Sequence, residues 1–488
     1  MEMNPNDQPT MISEKRTLTY GDPLRIGHRC VGETDRIEIY RYKEEANYHE
    51  GSAELHPLIA RSISGNGTAV FDTASLPEPG YYWIFHTDSE GSDVYESFEI
   101  LLTDAADVPE EGAAGAEITL REENGVTVTT LNVRAKTEQA LHYRFYWYGN
   151  GQRLEDHTPI WEGDRAGDFA VTLHPSIFMP DGADSVEIAV GARTKNSLIV
   201  PAPAALRPPK GDPLCRFAVF TDLHMQKNHI RTALRRTRKL APDSNGIFTC
   251  GDQTNSGTAE EYEILKSIFD PEREFLPPLF FGIGNHDFGD GTDYDLQARL
   301  FTENLRVPAL HYHVDLCGYR FILLGSDVAG NGYGVLGEEQ LDWLEKRLSE
   351  ADPTKPTFLF LHQPLIETVS GTLYSMDPKI QFWFGVKDAA ERLHAIFAKY
   401  PNTVLFTGHT HWKFDSIGPI KFCGDSDATF VNCSAVGYLW NDQDHAEPGS
   451  EGYFVEVYGD HVRLRGRELV RDQWSADAQY IIPFVGKV

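Results

Sequence analysis

Five short apolar runs in the second half of the 488-residue chain each end on residues able to bind a metal. RFAVFT leads into Asp222-Leu223-His224, GIFTC into Gly251-Asp252, and LFFGIG into Asn285-His286-Asp287. TFLFL leads into His362, and TVLFTG into His409-Thr410-His411. Runs this short and apolar read as buried strands. HIRTALRRTRKLA, LGEEQLDWLEKRLSE and VKDAAERLHAIFAKY carry apolar residues at helical spacing and read as helices. Alternating strands and helices specify α/β architecture, in which sites form beyond the carboxyl ends of the strands.

The spacing within these blocks has chemical content. In extended backbone, residues i and i+2 project to one side. Asp222 with His224, and His409 with His411, are therefore expected to present paired ligands. Gly251, Gly284 and Gly408 precede ligands, where the chain is expected to pass closely around an ion. The set Asp222, His224, Asp252, Asn285, His362, His409 and His411 mixes carboxylate, imidazole and amide, which suits borderline first-row ions. Seven ligands exceed one tetrahedral site and suit two ions sharing a carboxylate.

In order, D-x-H, G-D-x-x-N, G-N-H-D, a lone His and G-H-T-H resemble the calcineurin-like metallophosphoesterase superfamily, over residues 213–488. The resemblance implies two packed mixed sheets flanked by helices and two divalent or trivalent ions (Mn, Fe or Zn). It implies that Asp222, His224 and His411 bind the first ion, that Asn285, His362 and His409 bind the second, and that Asp252 bridges them. His286 would face the scissile phosphate as general acid. The implied activity is hydrolysis of a small phosphomonoester or phosphodiester by a metal-bridging hydroxide. One departure is Asn255, where many members carry an Asp that orients the acid histidine; Asn255 is expected to accept its imidazole N–H without adding charge. Purple acid phosphatases are disfavoured, since no tyrosine stands near Asn255. Cyclic-nucleotide and glycerophosphodiester hydrolysis both stay open. The competing reading is a non-catalytic binding or adhesive protein whose phosphoesterase-like domain is inert.

The first half has a different grammar. After a polar tail at 1–16, expected to be frayed, strand-like runs such as DRIEIYRY, GTAVFD and GYYWIFHT alternate with turns to about residue 103. TDAADVPEEGAAG, residues 103–115, reads as a linker. A second all-β stretch at 115–205 includes VTVTTLNVRA and LHYRFYWYG, and the proline-rich segment 201–213 ends it. Short strands at this spacing predict two β-sandwich, immunoglobulin-like domains, 17–103 and 115–205, ahead of the α/β domain at 213–488.

A formal charge of −29 repels polyanions and anionic membranes, so no nucleic-acid polymer and no membrane partner is expected; a small phosphoester is. No apolar run approaches a membrane span and the N-terminus has no apolar signal region, so a cytoplasmic protein is expected, its six cysteines free. Oligomeric state is not specified. His28, His56, His142 and His174 read as ordinary surface or core residues, and His229 and His313 as neighbours of the motifs outside the site. The basic stretch Arg231–Lys239 reads as a solvated helix face. Asn66 and Asn432 match the glycosylation pattern without meaning for a cytosolic chain. The segments 288–311 and 366–386 are expected to supply pocket loops.

Overall fold

The computed structural model describes residues 11–13, 17–41, 57–91, 94–103, 113–123, 126–138, 140–154, 159–173, 178–190, 193–203, 206, 211–289, 293–329, 332–373, 385–386, 388–424, 426–442, 446–447 and 449–484. Its contacts group into two units, one of residues 1–44, 51–210 and 470–480, the other of 45–50, 211–469 and 481–488. The segment 470–480, counted in the sequence with the α/β part, thus groups with the first unit.

Among its described residues the first unit is mainly strand, and the strands before residue 211 form two sets. In one, the sheet Met11–Ser13, Pro23–Arg29, Asn66–Asp72 shares a core with the sheet Thr17–Thr19, Val94–Thr103, Gly80–Thr87, Asp35–Arg41, Ile59–Ile63. Alternating residues close that core: Leu24 and Ile26 from one sheet, Ile37, Ile39, Tyr82 and Ile84 from the other. In the second set, Phe169–Leu173, Val126–Ala135 and Ala113–Glu123 share a core with a sheet built on Leu141–Gly149 and Ser185–Val190. Two corrections follow. Met11–Ser13 lies in the stretch expected to be frayed, yet it pairs with Ile26–His28, because Met11 has an apolar side chain to bury. A strand begins at Ala113, inside the expected linker. The rest of the tail and linker (1–10, 14–16, 104–112), as well as His56 and His174, lie outside the described residues.

The second unit has two mixed sheets. One runs Leu279–Phe281, Gly246–Thr249, Cys215–Phe220, Glu451–Val457, His461–Glu468; the first three are mutually parallel and the last two antiparallel. The other runs Tyr312–Leu316, Tyr319–Leu323, Thr357–Phe360, Thr403–Thr407, Thr429–Asn432, Ile420–Lys421, parallel through its centre. The sheets meet through phenylalanines. Phe217 lies 5.0 Å from Phe321 and 4.9 Å from Phe358, ring centre to ring centre, and Phe248 stacks at 4.7 Å on both Phe321 and Phe360. Alternation sends Ile322, Leu359, Leu405 and Phe430 the other way, against Leu341, Leu344, Leu393 and Ile396 of the helices Glu338–Ser349 and Ala390–Phe397. This double burial is why these strands read as continuous apolar runs.

Helices Ala259–Glu272 and Tyr294–Leu305 were not expected. The second occupies half of 288–311, a segment expected to supply a pocket loop. Of 366–386, residues 374–384 lie outside the described residues. No helix among the described residues is long and apolar enough to cross a membrane.

Candidate metal centre

The ends of strands Cys215–Phe220, Gly246–Thr249, Leu279–Phe281, Thr357–Phe360 and Thr403–Thr407 bring Asp222, His224, Asp252, Asn285, His362, His409 and His411 together. Asp222, His224 and His411 form one group whose ligand atoms lie within 4.8 Å of one another; Asp252, His362 and His409 form another. His224, Asp252 and His286 form a third, so His224 and Asp252 belong to more than one. Asn285 joins the second, its Oδ1 3.1 Å from His362 Nε2.

These side chains do not converge by strand alternation. Asp222, His224, Asp252, His409 and His411 all have left-handed backbone, with φ of 52°, 42°, 53°, 70° and 61°. For non-glycine residues such geometry costs on the order of 1–3 kcal/mol each. Five such residues at one spot mark a site held by its surroundings. The chain is also crowded there. A Cβ on Gly408 would stand 2.3 Å from Asp222 Oδ2, and one on Gly284 would stand 2.1 Å from Asp252 Oδ1. Close approach, more than chain reversal, requires those glycines.

The chemistry of the donors fits a cation. His411 Nδ1–H donates to the Tyr438 carbonyl at 3.0 Å, and His224 Nδ1–H donates to Asn255 Oδ1 at 3.1 Å. Both rings therefore present an Nε2 lone pair, and these atoms face each other at 3.2 Å. Asp222 Oδ1 is buried and makes no hydrogen bond, with His411 Nε2 at 3.0 Å and His224 Nε2 at 3.8 Å. Its other oxygen is held by Thr221 Oγ1 (2.6 Å) and the His409 amide (2.9 Å). In the second group, His362 Nε2 lies 3.1 Å from Asp252 Oδ2 and 3.2 Å from His409 Nδ1.

The electrostatics agree. Burial opposes a charge on Asp222, yet the His411 and His362 imidazoles hold its carboxyl well below the usual range; Asp252 is likewise lowered against burial, by His362. Burial opposes a charge on His362 too, and the Asp252 and Asp222 carboxylates overcome it, raising His362 to about 9. Burial and the neighbouring His362 push His409 down to about 3. Two buried carboxylates this close together demand positive charge beside them.

His286 differs from the seven in being exposed. Its amide donates to Asp252 Oδ1 at 2.9 Å and its Nδ1–H to the Asn255 carbonyl at 2.8 Å, leaving Nε2 available at the rim. The side chain of Asn255 goes to His224 instead. The expected partnership with His286 is thus made by the backbone of Asn255, because the two rings approach this residue at different atoms.

His313 sits beside Trp343. Of the basic stretch, Arg236 is buried and donates to the Leu469 carbonyl, and Arg238 pairs with Glu272, so the residues serve packing as well as solvation. Asn432 is buried and donates to the Trp412 carbonyl. Asp287, given no role from sequence, accepts from the amides of Gln253, Thr254 and Gly284, each at 3.0 Å, and so ties the Asp252 loop to the Asn285 loop. A further trio, Cys30, Asp35 and His86, lies in the first unit; there Asp35 already accepts from the amides of Val31 and Gly32 and meets His86 Nε2 at 3.0 Å.

Residues 215–413 match the calcineurin-like phosphoesterase family. A probable glycerophosphodiester phosphodiesterase GpdQ of Arcobacter nitrofigilis is 31% identical over 175 residues, covering 35% of this chain and 58% of that protein. The glycerophosphodiester phosphodiesterase GpdQ of Enterobacter lignolyticus is 29% identical over 202 residues, 39% of this chain and 64% of that protein. A 3′,5′-cyclic-nucleotide phosphodiesterase of Nostoc sp. is 28% identical over 183 residues, 37% and 61% respectively. The chain thus spans about three fifths of the length of these relatives.

Proposed function

We propose that the calcineurin-like phosphoesterase domain at residues 215–413, with the strands that complete its sheets, hydrolyses a small phosphodiester at a pair of metal ions. The observation that carries this reading is the ring of imidazole Nε2 atoms around the buried, hydrogen-bond-free Asp222 Oδ1, joined through Asp252 to a second ligand group. Asp222, His224 and His411 would hold one ion, Asn285, His362 and His409 the other, and Asp252 both. When bound, two such cations supply an acidified water and a clamp on the phosphate.

The chain's own residues do the rest. The Tyr438 carbonyl and Asn255 Oδ1 fix the tautomers of His411 and His224. The Asn255 carbonyl turns His286 so that Nε2 faces the rim, where it can protonate the leaving oxygen. A diester is favoured over a monoester because the relatives above are named as diesterases. The test is a panel of phosphomonoesters and phosphodiesters assayed on the Mn-loaded full chain. Faster turnover of diesters supports the reading; monoester turnover alone would replace it.

A further inference from the structure

The first ligand group leans on a segment that lies beyond the family match, residues 436–440. Val436 N donates to the Thr221 carbonyl at 2.9 Å and Gly437 N to the Asp222 carbonyl at 2.8 Å, so the segment pairs with the backbone of a ligand. Gly437 packs so closely that a Cβ there would stand 3.3 Å from His224 Cβ. Tyr438 follows. Its carbonyl accepts His411 Nδ1–H, and its ring stacks on His411 at 4.2 Å with 30° between planes, 5.2 Å from the His224 ring. Trp440 N donates to the His411 carbonyl at 2.9 Å. One segment therefore touches Asp222, His224 and His411 at once.

Something must hold that segment. His229, in the first turn of helix Lys227–Leu240, places Nδ1 2.9 Å from both the Val436 and Gly437 carbonyls. Two acceptors around one ring nitrogen require that nitrogen to carry the proton, so His229 acts as a donor to the segment.

We infer that Tyr438 and His229 are positioning residues for the first metal: His229 fastens the segment, and the Tyr438 ring and carbonyl fix the His411 imidazole. The inference rests on the metal-centre reading above. Neighbours that orient metal-bound imidazoles are typically worth about 10–100-fold in metal affinity.

The test uses the full chain, stripped of metal and titrated with Co(II) against a competing chelator, with the visible Co(II) spectrum as a second readout. Tyr438→Ala and His229→Ala should each weaken one of two Co(II) ions about 10–100-fold and change its spectrum, leaving the other ion at wild-type affinity. Tyr438→Phe keeps the ring and should behave as wild type. His229→Asn offers an N–H donor in a similar place and should recover much of what His229→Ala loses. A purely structural role predicts equal loss at both ions and no rescue by Asn, and that result overturns the inference. So does wild-type affinity and spectrum in both alanine variants. A wild-type chain that binds no Co(II) sinks the metal-centre reading, and this inference with it.

Discussion

Asp252 stands where two ligand groups meet, one oxygen near His362 and the other accepting the His286 amide. Asp252→Ala removes charge from both groups and should leave at most one ion per chain by elemental analysis; two retained ions would show that the carboxylate does not bridge. His286 calls for a different comparison. A proton donor matters for a poor leaving group and little for a nitrophenolate. His286→Ala should cost about 10²–10⁴ in kcat/KM on an alkyl phosphodiester and far less on a nitrophenyl one, with metal content intact. Equal losses would make His286 an orienting group. The clustering of the proposed ligands was legible because each closes an apolar run. Tyr438 and His229 were not: one tyrosine in a loop and one histidine on a helix carry no pattern, and only packing brings them to the ligands. Nor could sequence show that Asn255 serves two rings with two different atoms.

The loops at the strand ends carry the cost of the site. The sequence suggests close approach at the glycines, which Gly284 and Gly408 make against carboxylates, but it suggests alternation along extended backbone for the proposed ligands, whereas five of them are left-handed, a property of the turn that no residue type there announces. Gly408→Ala puts a methyl group against Asp222 Oδ2. It should destabilise the domain by about 1–3 kcal/mol and release metal together with activity, measured by thermal unfolding and metal analysis. Unchanged metal binding would mean that the loop can give way. Helix Ala259–Glu272 was missed although its start was readable: Thr258 and Glu261 form a capping box, the T-x-x-E signal, but Pro271 near its end broke the pattern. Helix Tyr294–Leu305 has a comparable start at Asp293, whose side chain accepts from Leu296 N.

At the scale of the molecule, the α/β part was legible because strands buried on both faces cannot disguise their composition, and the all-β part because its turns punctuate it. The grouping of 470–480 with the first unit was not, since no Pro- or Gly-rich linker sets it apart from the strand before it. Buried Glu451 joins two loops behind the site, accepting from Phe414 N at 2.8 Å and Ser434 Oγ at 2.6 Å. Burial pushes its carboxyl up to about 8 from 4.5. The folded chain then binds more protons than the unfolded one between those values, so this group's contribution is full below about pH 4.5 and is lost as pH rises through about 8. Glu451→Gln keeps the neutral form and should raise Tm by about 5 °C at pH 9 while changing little at pH 4.5. A pH-independent difference would contradict that origin. The central claim, a two-metal phosphodiesterase centre, is tested most directly by titrating the metal-free full chain with Mn(II) and following bound metal and phosphodiester hydrolysis in the same samples. The structure predicts about two ions per chain and activity that rises with occupancy. Full hydrolysis by the metal-free chain, or saturation without any hydrolysis of the phosphodiester panel, would contradict it.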